Sequence, residues 1–262
     1  MAAAVTHAAD YYPPPDSKGG WRSLTSASDS ELLKKAGMDR AKLDQALEFA
    51  KDTTQHGGLV VVRHGWLVYE RYFGRADRNA NPDMASCGKA FTSVALGIAL
   101  KEKHNLIPQG LDTKVFTDQF LPEAFPLDDA AMLLHEGKWN GKELVPADYV
   151  AMCSRPSSYN PHHPYSLMYE VNQDGHVAKA PKDAYWKSGA GGFAIYVVPS
   201  LDLVIYKLGG SDGAYAGSLT QLPQPKETDT SRAEWKAPRP IEGAGVPGIL
   251  ELVSAAVADP KR

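Results

Sequence analysis

Ser86-Cys87-Gly88-Lys89 is the first stretch of this sequence whose residue types and spacing suit covalent chemistry. Residues three apart share a helix face, so Ser86 Oγ and Lys89 Nζ can meet. Burial disfavours the charged form of a lysine. A neutral amine can then take the serine proton and create a nucleophile. Asn81-Pro82 upstream calls for irregular chain. That sets Ser86 near the N-terminus of the following helix, where backbone N–H groups can hold an oxyanion. Alone the pattern is weak, because serine and lysine at this spacing are common as a cap and a solvated side chain.

A second stretch is Lys187-Ser188-Gly189-Ala190-Gly191-Gly192. Glycine lets another backbone lie close against a strand, so this can be a docking edge. The plainer reading is a glycine-rich bulge at a sheet edge. Residues 189–194 also fit the dinucleotide pattern G-x-G-x-x-A, but a strand-like run follows where a helix is needed. Residues 243–248 fit G-x-G-x-x-G, but no strand precedes them and Pro247 lies inside. Both are set aside. His135, His162, His163 and His176 lack H-x-x-x-H spacing, so no metal site is expected. No cofactor is expected either. Cys87 reads as a small buried thiol, and Tyr159, Tyr165 and Tyr169 as cleft lining or loop packing.

The elements that must position these groups follow from apolar periodicity. Residues 1–37, with Pro13 to Pro15 and Gly19-Gly20, read as an irregular surface arm. A helix is predicted over 38–55, with Leu43, Ala46, Leu47 and Ala50 inward. Residues 58–74, broken at His64-Gly65, read as a β-hairpin. Residues 84–103 read as a helix with Phe91, Val94, Ala95, Ile98 and Ala99 on one face. Residues 106–129 and 155–164 read as loop. An Asn140-Gly141 turn and a helix from Pro146 are expected between them. Residues 193–198 and 203–208 form a second hairpin around Pro199-Ser200. Residues 221–246 read as a proline-rich linker and 247–259 as a closing helix. The pattern is α+β: one domain over 38–262, built on an antiparallel sheet flanked by helices. It holds both hairpins, with helix 86–102 on its face.

Composition excludes several classes. The chain has 262 residues, 43% apolar and 23% charged, with a net charge of −3. That is ordinary globular composition with no basic footprint for nucleic acid. No apolar run approaches a membrane span. The N-terminal stretch lacks a basic region followed by an apolar one. Two cysteines without C-x-x-C suit a reducing compartment. These signs place the protein in the cytoplasm, with neither membrane nor nucleic acid as partner, and leave its oligomeric state open.

Together, the two stretches and the hairpins around them resemble the penicillin-recognising serine enzymes: serine β-lactamases, penicillin-binding proteins and related esterases. Gly58–Gly74 looks like their first hairpin, His135–Pro146 like the turn after their helical region, and Tyr196–Ile205 like their last hairpin. The nearest subgroup is the β-lactamase-related serine hydrolases close to class C. The resemblance implies that Ser86 is the acylated nucleophile and Lys89 its proton acceptor. It implies that Lys187-Ser188-Gly189 stands for the third motif, Lys-Thr-Gly, and orients a substrate carboxylate or carbonyl. The N–H groups of Ser86 and Ala190 would form the oxyanion hole.

The family's second motif, Tyr-x-Asn or Ser-x-Asn, is missing from its place. The interval from Ser86 to Lys187 is too short for the helical subdomain that carries it. That region looks deleted between Asp129 and Ala130. Ser158-Tyr159-Asn160 fits Ser-x-Asn but stands on the wrong side of the His135–Pro146 turn. The reading is therefore a serine hydrolase acting by acyl transfer on a small ester, amide or β-lactam-like substrate. The alternatives are a catalytically inactive truncated paralogue or isoform, and a protein that binds a carboxylate ligand in the same cleft.

Overall fold

The computed structural model describes residues 11–105, 136–139, 142–157, 164–211 and 245–259. The first helix, α1 (Asp29–Ala36), falls inside the stretch expected to be irregular. Its start is local chemistry. Ser28 accepts the Glu31 N–H, and Gly37 ends the helix at φ 59°, a conformation that glycine adopts at little cost. Leu32 and Ala36 are buried, which fixes the helix to the body. Helix α2 (Arg40–Thr53) is capped by Asp39 and buries Leu43, Ala46, Leu47 and Ala50, the four residues its periodicity selects.

The first hairpin is β1 (Gly57–Arg63) and β2 (Trp66–Phe73). His64 and Gly65 both have positive φ, the backbone a tight two-residue hairpin turn requires. Helix α3 (Lys89–Glu102) follows, then the short pair β3 (Lys138–Trp139) and β4 (Lys142–Glu143), and helix α4 (Ala147–Cys153). The Asn140-Gly141 turn lies outside the described residues. Next come β5 (Tyr165–Ser166), β6 (Tyr169–Val171), β7 (Tyr185–Gly189), β8 (Phe193–Val198) and β9 (Leu203–Leu208), and finally α5 (Gly245–Ala255).

One seven-stranded sheet runs β2-β1-β9-β8-β7-β6-β5. Every neighbouring pair is antiparallel. Both hairpins therefore share one sheet, as their alternation predicts. All six residues of β8 are buried, because helices cover both faces of this central strand. Ala194, Tyr196 and Val198 pack with α1, α2 and α5. Val197 packs with α3 and α4, while Phe193 and Ile195 meet Cys87 ahead of α3.

Helix α3 presents a different stripe from the one its bulky residues suggest. Ala90, Ser93, Val94 and Gly97 are buried, whereas Phe91 and Ile98 only flank the core. Close approach decides this. A Cβ on Gly97 would stand 2.7 Å from Val145 Cγ1 and 3.1 Å from the Tyr149 ring. Ser93 Oγ donates to Leu167 O at 2.8 Å.

Arg63 ties the end of α1 and the segment after α5 to the sheet. Its buried guanidinium donates to Leu201 O at 3.1 Å, to the carbonyls of Ala36 and Gly37, and to Asp259 O at 2.9 Å. Replacing it by methionine removes this donor from the Leu201, Ala36 and Asp259 carbonyls, while Gly37 O keeps the Ala258 N–H, and an unsatisfied buried polar group costs about 1–3 kcal/mol. Arg63→Met should therefore lower unfolding stability by about 3 kcal/mol in urea titration with an unchanged slope. A loss below about 0.5 kcal/mol would show that the guanidinium is not structural.

Candidate active site

The approach to Ser86 is strained. Asp83 Oδ1 accepts the Ala85 N–H at 2.9 Å, and Ala85 sits at φ 50°, a left-handed conformation that disfavours a side chain. A 3₁₀ turn over Ala85–Gly88 leads directly into α3. Ser86 thus stands at a helix entrance, where the Asn81-Pro82 break predicts it. Lys89 Nζ donates to Ser86 Oγ at 2.7 Å. The predicted pair therefore meets.

Its setting differs from the expectation. Lys89 is exposed among the described residues, not buried. For attack the amine must be neutral and the hydrogen bond reversed, with the serine donating.

The third-motif residues close β7. β7 lies between β6 and β8, but these residues run on past β6 and form a local edge. Its ladder to β6 covers only Tyr185 and Trp186, whereas the ladder to β8 runs on to Gly189. Lys187, Ser188 and Gly189 therefore keep one side free of that ladder.

Gly189 packs directly against the Ala85–Gly88 turn. A Cβ there would lie 2.5 Å from Met84 O and 2.8 Å from Cys87 N. Cys87 Sγ donates to Lys187 O at 3.2 Å. Burial pushes this thiol up to about 12, so it is a packing group and not a rival nucleophile. The chain then turns through Ala190, Gly191 and Gly192, with Gly192 N–H donating to Gly189 O at 3.2 Å. Lys207 holds the turn from below, donating to Gly192 O at 2.6 Å. Its own burial lowers it to about 8. Among the described residues neither the Ser86 nor the Ala190 N–H has an acceptor. These are the two amides assigned to the oxyanion.

Two partners were not legible in the sequence. Lys187, buried at 7% exposure, donates to Tyr165 Oη at 3.1 Å and lies 5.2 Å from that ring. Ser188 Oγ donates to Glu170 Oε1 at 2.5 Å. Tyr165 belongs to the tyrosine cluster that reads as lining or packing, and nothing singles it out. Glu170 carries no motif signal. Tyr169, of the same cluster, is buried against Ala90, with its hydroxyl donating to Ala90 O. Ser158, Tyr159, Asn160, His135, His162, His163 and the 129/130 junction lie outside the described residues. His176 pairs with Asp174 at the surface. No group of three or more His, Cys, Asp or Glu side chains among the described residues could hold a metal. No helix among them is long and apolar enough to cross a membrane.

Neither a protein-family profile nor any curated protein sequence matches the chain. Solved structures do. A β-lactamase candidate from Bacteroides dorei DSM 17855 superposes with a TM-score of 0.52 at 12% identity, covering 85% of this chain and all of that one. The chain has a β-lactamase-like fold. A 6-aminohexanoate-dimer hydrolase candidate from Bacillus anthracis matches at 15% identity and TM-score 0.43, over 68% of this chain and 82% of its own. A β-lactamase from Mycobacterium bovis matches at 14% and 0.40, over 65% and 94%. These two looser matches carry no further weight.

Within this fold the meeting of β7 with the Ala85–Gly88 turn is the site's tightest joint. Gly189→Ala should force the two apart, because the new methyl meets backbone atoms on both sides. The expected result is a loss of about 1–3 kcal/mol and slower labelling of Ser86 by a fluorophosphonate. A variant with wild-type stability and labelling rate would show that the joint is loose.

Proposed function

We propose that the chain is a serine hydrolase that accepts the acyl group of a small ester or amide on Ser86. The observation that carries this reading is the 2.7 Å contact between Lys89 Nζ and Ser86 Oγ, on a turn packed against Gly189. Neutral Lys89 takes the hydroxyl proton as Ser86 Oγ attacks the carbonyl carbon. The carbonyl oxygen becomes an oxyanion between the N–H groups of Ser86 and Ala190. The leaving group departs with a proton as the acyl–Ser86 ester forms, and water then releases the acid. The two buried free thiols support a reducing compartment, and we place the protein in the cytoplasm.

Turnover is expected to be slow. Acylation needs a base for the serine and an acid for the leaving group, and deacylation needs a base for water. Lys89 can serve the first need. The stretch between Leu106 and His135, where the second motif belongs, contains no tyrosine or serine. Losing one proton-transfer group typically costs about 10²–10⁴-fold in rate.

A fluorophosphonate probe read by intact mass tests the assignment. Wild type should gain one adduct and Ser86→Ala none, while p-nitrophenyl butyrate is hydrolysed near background. Equal labelling of both proteins would remove Ser86 from the mechanism. Turnover of about 10 s⁻¹ that Ser86→Ala abolishes would keep the nucleophile and show that another group supplies the missing proton steps.

A further inference from the structure

The Ser188–Glu170 contact changes what the third motif can recognise. A serine hydroxyl has one proton to donate and two lone pairs to accept with. In this structure the proton is given to Glu170 Oε1, at 2.5 Å. What Ser188 still offers a substrate is an acceptor. Glu170 adds another, since Oε2 has no donor among the described residues. The pair therefore presents only acceptors and one negative charge.

The placement is built into the sheet. Glu170 is the register partner of Trp186, so it shares the face of Ser188, two residues further along β7. Both side chains are partly exposed, so an incoming group can reach them. They stand where the ladder to β6 ends and two residues before Ala190, whose N–H is assigned to the oxyanion. The motif's own cation does not reverse the balance. Lys187 is drawn onto Tyr165, and Glu170 sets an equal and opposite charge in the same motif. A substrate carboxylate would meet no free donor from Ser188 and the repulsion of Glu170.

Resting on the acyl-transfer reading, we infer that Glu170 and Ser188 form a subsite for a hydrogen-bond donor, an ammonium above all. The substrates are then amine-bearing esters or amides, not the carboxylate-bearing ones that the third-motif resemblance implies. Glu170 acts as the specificity-determining residue, and it excludes ordinary β-lactams by their carboxylate.

The test uses two matched sets of substrates. In one, p-nitrophenyl esters carry an acyl chain ending in an ammonium, a methyl or a carboxylate. In the other, thioesters of one neutral acid vary the thiol in the same way. Acylation of Ser86 is followed by intact mass. In at least one set the ammonium compound should react about 10-fold faster than the carboxylate one at low ionic strength, each exposed charge contributing a factor of about three. High salt should shrink the ratio, and E170Q should bring it near one. These wild-type ratios need no variant, so a misfolded E170Q does not spoil the test. Equal rates for ammonium and carboxylate in both sets, or a ratio unchanged in E170Q, would overturn the inference while leaving Ser86 as nucleophile. If no compound acylates Ser86, the acyl-transfer reading fails on its own. Binding then decides: amides matched to the esters are compared by the shift they cause in the Tm of Ser86→Ala. A larger shift with the ammonium amide sustains the subsite, and an equal or larger shift with the carboxylate amide overturns it.

Discussion

Gly189 and the turn before α3 touch so closely that no side chain fits between them, with a Cβ held to 2.5 Å from Met84 O. This contact joins two parts of the chain a hundred residues apart. It brings the end of β7 against the backbone that presents Ser86, and so fixes where the Ala190 turn lies relative to the serine. The thiol of Cys87 seals the joint from inside by donating to Lys187 O. The hydrogen bonds of Arg63 to Leu201, the end of α1 and Asp259 and the two-sided burial of β8 keep the sheet rigid enough for such a contact to hold. A site built on rigid elements holds its geometry better than one carried by loops alone. Here the two amides proposed to hold the oxyanion belong to a strained turn and a glycine turn, each anchored to a strand or a helix.

How much of this could be read from the sequence depended on the range of the signal. Local periodicity found the hairpins, α2 and its four inward residues, since two-fold and 3.6-fold patterns need only neighbours. It missed α1, whose Ser28 cap and Gly37 stop lie behind a run of prolines that reads as irregular arm. It rotated α3, because, of the bulky residues, only Val94 is buried, while Phe91 and Ile98 flank the core. Small ones face inward, where Tyr149 and Val145 come close. Ser86–Lys89 was legible as a spacing and Lys187–Ala190 as a motif. Glu170 and Tyr165 were not. Each meets the site through tertiary contact from a strand two or three residues long, which no alternation can reveal.

The chemistry depends on what surrounds the pair as much as on the pair itself. Lys89 reaches Ser86 from an exposed position, and the stretch between Leu106 and His135 holds no tyrosine or serine to serve the other proton steps. Groups that act in concert lose most of their effect when one is withdrawn. That argues for a nucleophile that accepts an acyl group more readily than it releases one. The bond from Ser188 to Glu170 shows the same principle in recognition, because a motif residue keeps its identity but not its free proton.

The most direct measurement is a crystal structure of the protein inhibited by a fluorophosphonate. The account predicts phosphorus bonded to Ser86 Oγ, with the phosphoryl oxygen about 2.7–3.1 Å from both the Ser86 and the Ala190 nitrogens and β7 still packed on the Ala85–Gly88 turn. Phosphorus on another residue, or a phosphoryl oxygen turned to solvent with β7 displaced, would contradict it.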